Sequence, residues 1–206
     1  MDQKSIPYDR IAEEIFAPIY PQIARDLLEA TGIRSGRMAD IGCGGGHLGF
    51  AVMEQAPFDG LFLDILPEAL TAARARAEAR GLLARCTFCT GDVQKMDLPD
   101  GCADLVVSRG SMIFWEDQEA AFREIYRILA PGGCTYIGTG LGSTELREQI
   151  RTKMRGVDPG WPGRLRENSL ALSTPAYRTL FQNLGWNFTI IENESQGRWI
   201  ILKKPR

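Results

Sequence analysis

The chain has 206 residues, of which 44% are hydrophobic and 24% charged, with a formal net charge of −2 at pH 7. This length and composition fit a single globular domain, residues 1–206, and exclude a largely disordered chain. The slightly acidic balance argues against a dedicated DNA- or RNA-binding protein, which carries a basic excess. No window approaches the roughly eighteen apolar residues of a membrane span, and the N-terminus lacks the apolar core of a signal peptide. We therefore expect a cytoplasmic protein without a membrane partner.

The N-terminal segment, residues 8–33, has the apolar periodicity of helices. The repeating apolar positions are Ile11, Ile15, Ile19, Ile23 and Leu27. Pro18 and Pro21 interrupt this pattern, and Gly32 ends it. The sequence predicts two or three short helices that end near Gly32.

From residue 38 onward, short apolar strands alternate with helices. Strands are predicted over residues 38–41, 61–63, 86–90, 103–108 and 135–138. Helices are predicted from the glycine loop at 42–46 to about residue 55, and over 67–80, 117–129 and 174–184, the third closed by Pro131-Gly132-Gly133. Residues 188–192 and 198–202 form a terminal antiparallel hairpin. This order predicts an α/β fold with a doubly wound, Rossmann-like, mostly parallel sheet, whose ligand lies at the carboxyl ends of the strands.

This pattern divides the domain into four parts. We assign residues 1–35 to N-terminal cap helices, 36–140 to the ligand-binding core, 141–173 to a helical insertion that caps the core, and 174–206 to the last helix and hairpin.

The insertion is rich in arginine. Arg147, Arg151 and Arg155 are spaced i, i+4, i+8 and therefore lie on one helical face. With Glu145 and Glu148 nearby, we favour a solvated helix, and the alternative is a lid that meets an anionic substrate.

The five cysteines offer no metal site. Cys86 and Cys89 form a C-x-x-C pair, but on a strand these positions point to opposite faces. Without a second pair, and with one histidine in the chain, we interpret them as reduced, structural residues and expect no metal.

Four glycines in five positions, 42–46, follow the first strand in the stretch MADIGCGGGHLGF. Gly44, Gly46 and Gly49 match the G-x-G-x-x-G pattern of dinucleotide-binding proteins, and Asp64 lies twenty residues beyond Gly44. On this pattern alone, a nicotinamide-dependent oxidoreductase is possible.

Acidic residues near the loop favour a different ligand. Asp40 precedes the glycines by two residues, where it would repel a pyrophosphate but attract an ammonium group. Asp92 closes the third strand at the same edge of the sheet. The sequence therefore favours a ligand with a cationic end.

Four stretches in order, over about residues 38–140, resemble the class I S-adenosylmethionine-dependent methyltransferases. They are ADIGCGGGHLG, LFLDILPEAL, CTFCTGDVQKMDLPDGCADLVVSR and FREIYRILAPGGCTYIG. The glycine loop alone is a weak signal. The ordered set of an acid before the loop, two strand-end acids and a helix closed by Pro-Gly-Gly is specific.

The resemblance implies S-adenosyl-L-methionine as cofactor and S-adenosyl-L-homocysteine as product. Gly42 and Gly44, with Cys43 between them, would let the backbone approach the methionine part of the cofactor. Asp40 would organise its cationic end, and the carbonyl of Ser108 would accept from its ammonium group.

The nucleoside part is assigned to the next two strand ends. By the same resemblance, Asp64 would accept both ribose hydroxyls, with Ile65 beside it. Asp92 would accept from the adenine amine, with the Val93 amide nearby.

The resemblance also implies that the methyl acceptor binds beside the segment after the fourth strand, SRGSMIFWED. Candidate substrate contacts are Arg109, Ser111, Phe114 and Trp115 there, and Phe16, Tyr20 and Trp161 in the N-terminal helices and insertion. Catalytic residues are not assigned, and Arg109, Ser111 and His47 are candidates. Neither the Asn/Asp-Pro-Pro-Tyr motif nor the loop histidines of lipid- and quinone-directed relatives are present.

We therefore expect a methyltransferase that acts on a small molecule by in-line displacement. A sensor that binds the cofactor without turnover is the alternative from a different class. An RNA methyltransferase and a nicotinamide oxidoreductase are further alternatives.

Overall fold

Seven strands form one sheet in the order β3-β2-β1-β4-β5-β7-β6 in the computed structural model, which describes residues 8–163 and 167–206. The strands are β1 Gly36–Ile41, β2 Phe58–Asp64, β3 Cys86–Thr90, β4 Ala103–Arg109, β5 Leu129–Gly138, β6 Asn187–Asn193 and β7 Gly197–Lys203. The helices are α1 Tyr8–Glu14, α2 Ile19–Thr31, α3 His47–Met53, α4 Pro67–Ala79, α5 Gln118–Ile128, α6 Thr144–Val157 and α7 Thr174–Asn183. Strands β1 to β5 pair in parallel, and β7 pairs antiparallel with β5 and β6. The predicted fold is confirmed.

The order of the strands reverses between β1 and β4. From β1 the chain adds β2 and β3 on one side, and then crosses back to add β4 and β5 on the other. Asp40 on β1 lies opposite Phe62 of β2 and Val107 of β4. Open α/β sheets bind ligands in the crevice at such a switch point, outside the carboxyl ends of the strands.

Helices cover both faces of the sheet, so the central strands are buried on both sides. Leu105, Val106, Val107 and Ser108 of β4 are each 0% exposed. Leu105 and Val107 pack into one hydrophobic cluster and Val106 into the other. This burial on two faces explains why β4 is apolar without alternation.

The N-terminal helices form as predicted, except that Pro21 does not interrupt them. Helix α2 runs from Ile19 through Pro21 to Thr31 and is capped by Gly32, whose φ is 71°. Pro21 lies in the first turn of α2, where a backbone N–H has no partner within the helix, so the missing donor costs little.

Strand β5 begins earlier than predicted. It starts at Leu129, immediately after α5, and Pro131-Gly132-Gly133 lies within it rather than closing the helix. Its pairing with β4 shifts register in this part, between Ala103 and Leu105. The Gly132 amide donates to the Lys204 carbonyl at 3.0 Å, and the Lys204 amide donates to the Gly133 carbonyl at 3.0 Å. The glycines therefore form an irregular stretch of strand.

The helix predicted for the insertion is present as α6, with Ser143 as its N-cap. The division of the domain into four parts stays a prediction. Within residues 8–163 and 167–206, every helix is too short or too polar to span a bilayer.

A buried hydrogen-bond node holds the segment that follows β4. The Gln118 side-chain amide donates to the carbonyls of Met112 (2.7 Å) and Trp115 (2.9 Å), and the Tyr177 hydroxyl donates to Gln118 Oε1 at 2.6 Å. The Leu172 amide of the insertion in turn donates to the Tyr177 hydroxyl at 3.3 Å. Helices α5 and α7 therefore fix both the segment after β4 and the end of the insertion.

Replacing Tyr177 by Phe is expected to lower the free energy of unfolding by about 1–3 kcal/mol, because the buried Gln118 oxygen loses its donor. Urea unfolding monitored by circular dichroism measures the change. The control is Tyr126→Phe, since Tyr126 stacks on Trp186 at 4.1 Å and its hydroxyl has no hydrogen bond within the described residues. Equal effects of the two substitutions would show that the node contributes nothing specific.

Candidate functional site

The glycine loop after β1 is docked against the end of β2 by two hydrogen bonds. The Cys43 amide donates to the Leu63 carbonyl at 3.0 Å, and the Gly44 amide donates to Asp64 Oδ2 at 2.7 Å. The second oxygen of Asp64 accepts from the Leu66 amide at 3.0 Å. Because each carboxylate oxygen accepts more than one hydrogen bond, both keep acceptor capacity for a ligand.

Two glycines are required by close approach. Gly42 has a φ of 63°, and a Cβ there would lie 2.2 Å from Ser111 Oγ. A Cβ on Gly49 would lie 2.4 Å from the Phe62 ring and 2.9 Å from Asp40 Oδ2. Only glycine lets the loop touch the segment after β4 and lets α3 pack directly on β1 and β2. On the other side of the loop, a Cβ on Gly44 would meet no atom within 4 Å, so that side is open.

Asp40 is a buried carboxyl group at the switch point. It is 2% exposed, and its Oδ2 accepts from the Gly49 amide at 2.9 Å. Burial raises the pKa of Asp40 to about 7, the hydrogen bond from Gly49 opposes this rise, and the charge of Asp64 adds to it. A cationic ligand group at this place would favour the ionised form.

Asp92 lies at the same edge, beyond β3. The Gly91 amide donates to the Asp64 carbonyl at 3.0 Å, which brings the two strand ends together. Asp92 Oδ1 accepts from the Gln94 amide at 2.8 Å, and Gln94 Nε2 lies 3.1 Å from Oδ2. Val93 is buried at 7% exposure. The acids at the ends of β1, β2 and β3 therefore share one edge.

Apolar side chains are exposed beside these acids. Ile65 and Leu66, directly after Asp64, are 63% and 51% exposed. An apolar surface next to a buried carboxylate suits a nucleoside, whose base is flat and whose ribose offers two hydroxyl donors.

The segment after β4 connects this edge to the core. Ser111 Oγ lies 3.1 Å from Ser108 Oγ, and Trp115 Nε1 donates to Ser111 Oγ at 3.0 Å. Trp115 is only 6% exposed and packs edge-on against Phe122. The structure thus places Trp115 in the core, where it supports Ser111.

A cavity of about 870 Å³ lies at the carboxyl ends of β4 and β5 and the amino end of β7. Of the predicted substrate contacts, Phe16, Arg109, Phe114 and Trp161 line it. Tyr20 does not, because it is buried at 7% exposure with its ring stacked on His47 at 5.2 Å.

Other residues that no sequence pattern indicated also line this cavity. They include Tyr8, Thr139, Leu172, Glu192 and Arg198. The β6–β7 hairpin returns to the carboxyl edge of β5, and strand periodicity predicts such a hairpin but not the edge at which its turn lies. Within the part of the chain that the structure describes, no group of three or more acidic, cysteine or histidine side chains could hold a metal ion.

His47 belongs to a polar contact that ties α1 to the glycine loop. Asp9 on α1 accepts from Arg76 Nη2 at 2.7 Å, and Arg76 Nη1 donates to the Gly45 carbonyl at 3.1 Å. His47 Nε2 lies 3.3 Å from Asp9 Oδ1. Burial would raise the pKa of Asp9, but hydrogen bonds and charge from Arg76 lower it overall.

Burial lowers the pKa of His47, and the Arg76 charge adds to this effect. A neutral imidazole facing an ionised carboxylate carries its proton on Nε2, and its lone pair is then on Nδ1. The structure therefore places the one histidine beneath α1 and outside the cavity lining.

Comparison with known proteins gives a consistent set of relatives. A family model for a methyltransferase domain matches residues 38–133. The chain is 39% identical over 98 residues to demethylmenaquinone methyltransferase of Thermus thermophilus, covering 47% of this chain and 44% of that protein. It is 32% identical over 133 residues to 2-methyl-6-phytyl-1,4-hydroquinone methyltransferase of Spinacia oleracea, covering 63% of this chain and 37% of that protein. The chain thus spans less than half the length of these curated relatives.

A solved structure matches over nearly the whole chain. It is that of a candidate S-adenosyl-L-methionine-dependent methyltransferase from Methanococcus maripaludis, with a TM-score of 0.88 and 38% identity. The match covers 97% of this chain and 91% of that one.

Replacing Asp40 by Asn is expected to stabilise the ligand-free protein more at pH 8 than at pH 5. The pKa of Asp40 is about 7 in the folded state, against an ordinary value of 3.8. Between these two pH values the folded state keeps the Asp40 proton, whereas the unfolded state has released it. Wild-type stability therefore falls as the pH rises through this window, and the neutral amide escapes the loss. We expect the advantage of Asn to grow by about 2 kcal/mol, measured by urea unfolding.

The control for this prediction is Asp59→Asn, at the opposite end of β2, where the side chain is 75% exposed. Its effect is expected to be equal at both pH values. A pH-independent effect of Asp40→Asn would contradict the raised pKa.

Replacing Asp9 by Ala is expected to loosen α1, because Arg76 and His47 lose their shared acceptor. Amide hydrogen exchange in α1 should accelerate roughly threefold to fivefold, equivalent to about 1 kcal/mol or less for a side chain that is partly exposed. The control is Glu14→Ala, since Glu14 pairs with the exposed Arg10 on the same helix. Unchanged exchange in the Asp9 variant would show that the contact does not hold the helix.

Proposed function

Because this chain belongs to the class I S-adenosylmethionine-dependent methyltransferase family, we propose that it transfers a methyl group from S-adenosyl-L-methionine to a small-molecule acceptor. The observation that carries the proposal is the shared edge on which Asp40, Asp64 and Asp92 surround an open glycine turn. The match over nearly the full length to a structure 38% identical supports it.

The residues at this edge fit the cofactor part by part. Asp64 keeps acceptor capacity for the two ribose hydroxyls, and the exposed Ile65 offers an apolar surface for adenine. Asp92 and the Val93 amide are the acceptor and donor proposed for the adenine edge. Asp40, buried and close to the loop, would balance the charge of the ammonium group.

The methionine part would lie at the switch point between β1 and β4. The open side of the loop at Gly44 leaves room there, and the Ser108 carbonyl is the proposed acceptor for the ammonium group. This position lies between the strand-edge acids and the cavity, so a ligand held by the acids reaches the cavity with its methyl end.

The bound cofactor supplies an already activated methyl group on a sulfonium. The chain has to align the acceptor and keep water away, and a base is needed only for an acceptor that arrives protonated. The cavity is lined on several sides by apolar or aromatic residues such as Phe16, Ile113 and Trp161, which restrict water. We therefore propose that alignment, rather than proton abstraction by His47, is the main contribution of the protein.

The relatives support a small-molecule acceptor. Both curated relatives described above are named for quinone- or hydroquinone-type substrates, and we extend only the coarser property, a small organic acceptor, to this chain. The family membership replaces the nicotinamide oxidoreductase as an interpretation of the glycine loop. The cytoplasmic location stays a prediction.

The role of Asp64 predicts a specific sensitivity to the ribose. Wild-type protein should bind S-adenosyl-L-homocysteine roughly tenfold more tightly than its 2′-deoxy analogue. The analogue lacks the 2′-hydroxyl and therefore loses about one charge-assisted hydrogen bond. In Asp64→Asn this ratio should fall below about threefold, whatever the loss in absolute affinity. Isothermal titration calorimetry measures both ligands.

The control is again Asp59→Asn, at the far end of the same strand, which should keep the wild-type ratio. If Asp64→Asn discriminates between the two ligands as strongly as wild type, Asp64 does not bind the ribose.

Turnover is tested with methyl-labelled cofactor and fractionated small metabolites. The proposal expects label in a low-molecular-weight product of at least one fraction. Calorimetric binding of S-adenosyl-L-homocysteine without a labelled product in any fraction would favour the sensor instead. Label in added RNA alone would favour the RNA methyltransferase.

A further inference from the structure

The cavity beside the cofactor edge has an excess of positive charge. Among its described lining residues, the guanidinium groups are those of Arg109, Arg147, Arg151 and Arg198, and the carboxylates are those of Glu192 and Glu194. The cavity is next to the proposed methyl position, so this charge faces the acceptor. A cavity lined by one sign of charge concentrates ligands of the opposite sign.

Two of these arginines are already paired with carboxylates. Arg198 binds Glu192 at 2.9 Å and donates to the Leu172 carbonyl at 2.8 Å. Arg151 binds Glu148 at 2.9 Å on the same helix. These pairs neutralise the charges of Arg151 and Arg198, so the lining keeps the two positive charges of Arg109 and Arg147 against the one carboxylate of Glu194.

Arg109 and Arg147 have no carboxylate partner within the described residues. Arg109 directs its Nε to the Gly140 carbonyl at 3.3 Å and its Nη1 to the Tyr8 hydroxyl at 3.4 Å, both neutral acceptors. Arg147 is half-buried and has no side-chain hydrogen bond among the described residues. A half-buried cation without a counter-ion is unfavourable, and an anionic ligand removes that cost.

The geometry of α6 separates the three arginines that share its face. Ile150 and Met154 are buried, which fixes the rotation of the helix against the domain. Arg147 and Arg151 then line the cavity, whereas Arg155 is exposed to solvent outside it. The insertion is therefore neither wholly solvated nor wholly a lid, because its first two arginines face the cavity.

Aromatic side chains form part of the remaining cavity wall. Phe16 and Trp161 pack with ring centroids 6.0 Å apart, and Arg109 lies over the Phe16 ring at 4.6 Å from its centroid. Phe114, also on the cavity wall, is 58% exposed. Exposed aromatic faces in a concave site suit a flat apolar ligand.

We infer that the acceptor carries an anionic group, a carboxylate or a phosphate, which binds between Arg147 and Arg109 while its flat apolar part packs on Phe114 and Trp161. This inference rests on the proposed function for the identity of the ligand as methyl acceptor. Planar guanidinium groups bind either anion through paired N–H donors, so the two are distinguished by experiment.

The test uses protein saturated with S-adenosyl-L-homocysteine and three probes of one shape: 2-naphthoate, 2-naphthyl phosphate and the neutral 2-naphthamide. Calorimetry at fixed salt is expected to show at least one acid binding roughly tenfold or more tightly than the amide, from one or two charge-assisted hydrogen bonds. The acid that binds more tightly identifies the anion.

Two matched substitutions on α6 locate the anion site. In Arg147→Gln the preference for the acid should fall by about tenfold, while affinity for the amide stays within about twofold. Arg155→Gln removes the same charge further along the same helix, outside the cavity, and should keep the wild-type preference. Retained affinity for the amide in Arg147→Gln shows that this variant is folded.

Equal binding of acid and amide by wild type, or no measurable binding of either acid at millimolar concentration, would overturn the inference. So would an undiminished preference in Arg147→Gln. The proposed function fails separately, by absence of S-adenosyl-L-homocysteine binding or of methyl transfer, and neither result depends on the probes.

Discussion

The fold depends on one tight contact, the glycine turn packed between the ends of β1 and β2 and the segment after β4. Asp64 holds the turn from one side through the Gly44 amide, and Ser111 touches Gly42 from the other. Because Gly49 lets α3 rest on Phe62, the helix that follows the turn is also fixed. The buried Asp40 lies inside this contact, where ionisation of its carboxyl group is costly. Such a cost at a buried position is typical of a binding site rather than of a structural core.

The carboxyl edge of the sheet is divided by the reversal of strand order. On the β1-β2-β3 side the groups at the edge are carboxylates and exposed apolar residues, which suit a nucleoside joined to a cationic amino acid. On the β4-β5-β7 side the edge opens into a cavity with aromatic walls and arginines. The two halves meet at Ser108 and Ser111, whose hydroxyl oxygens lie 3.1 Å apart. Parallel pairing brings the carboxyl ends of β1 to β5 to one edge, and the antiparallel β7 adds its amino end there.

The sequence predicted the parts that depend on local patterns. The strands, the amphipathic α5 and the terminal hairpin follow from periodicity, and the acids follow from their positions at strand ends. The sequence does not predict features that depend on contacts with residues remote in the chain. Pro131-Gly132-Gly133 resembles a helix stop, but its glycines pair with the backbone near Lys204, which is remote in sequence. Trp115 is a candidate for the pocket by its position after β4, yet its indole donates inward to Ser111, and no one-dimensional pattern shows this direction.

Helix α1 links the two halves of the edge through adjacent residues. Asp9 contacts Arg76 and His47 above the glycine loop, whereas the neighbouring Tyr8 contacts Arg109 in the cavity. Neighbouring residues on a helix point in different directions, so one short element reaches both places. A single helical turn therefore contacts both the glycine loop, through Asp9 and Arg76, and the cavity wall, through Tyr8 and Arg109.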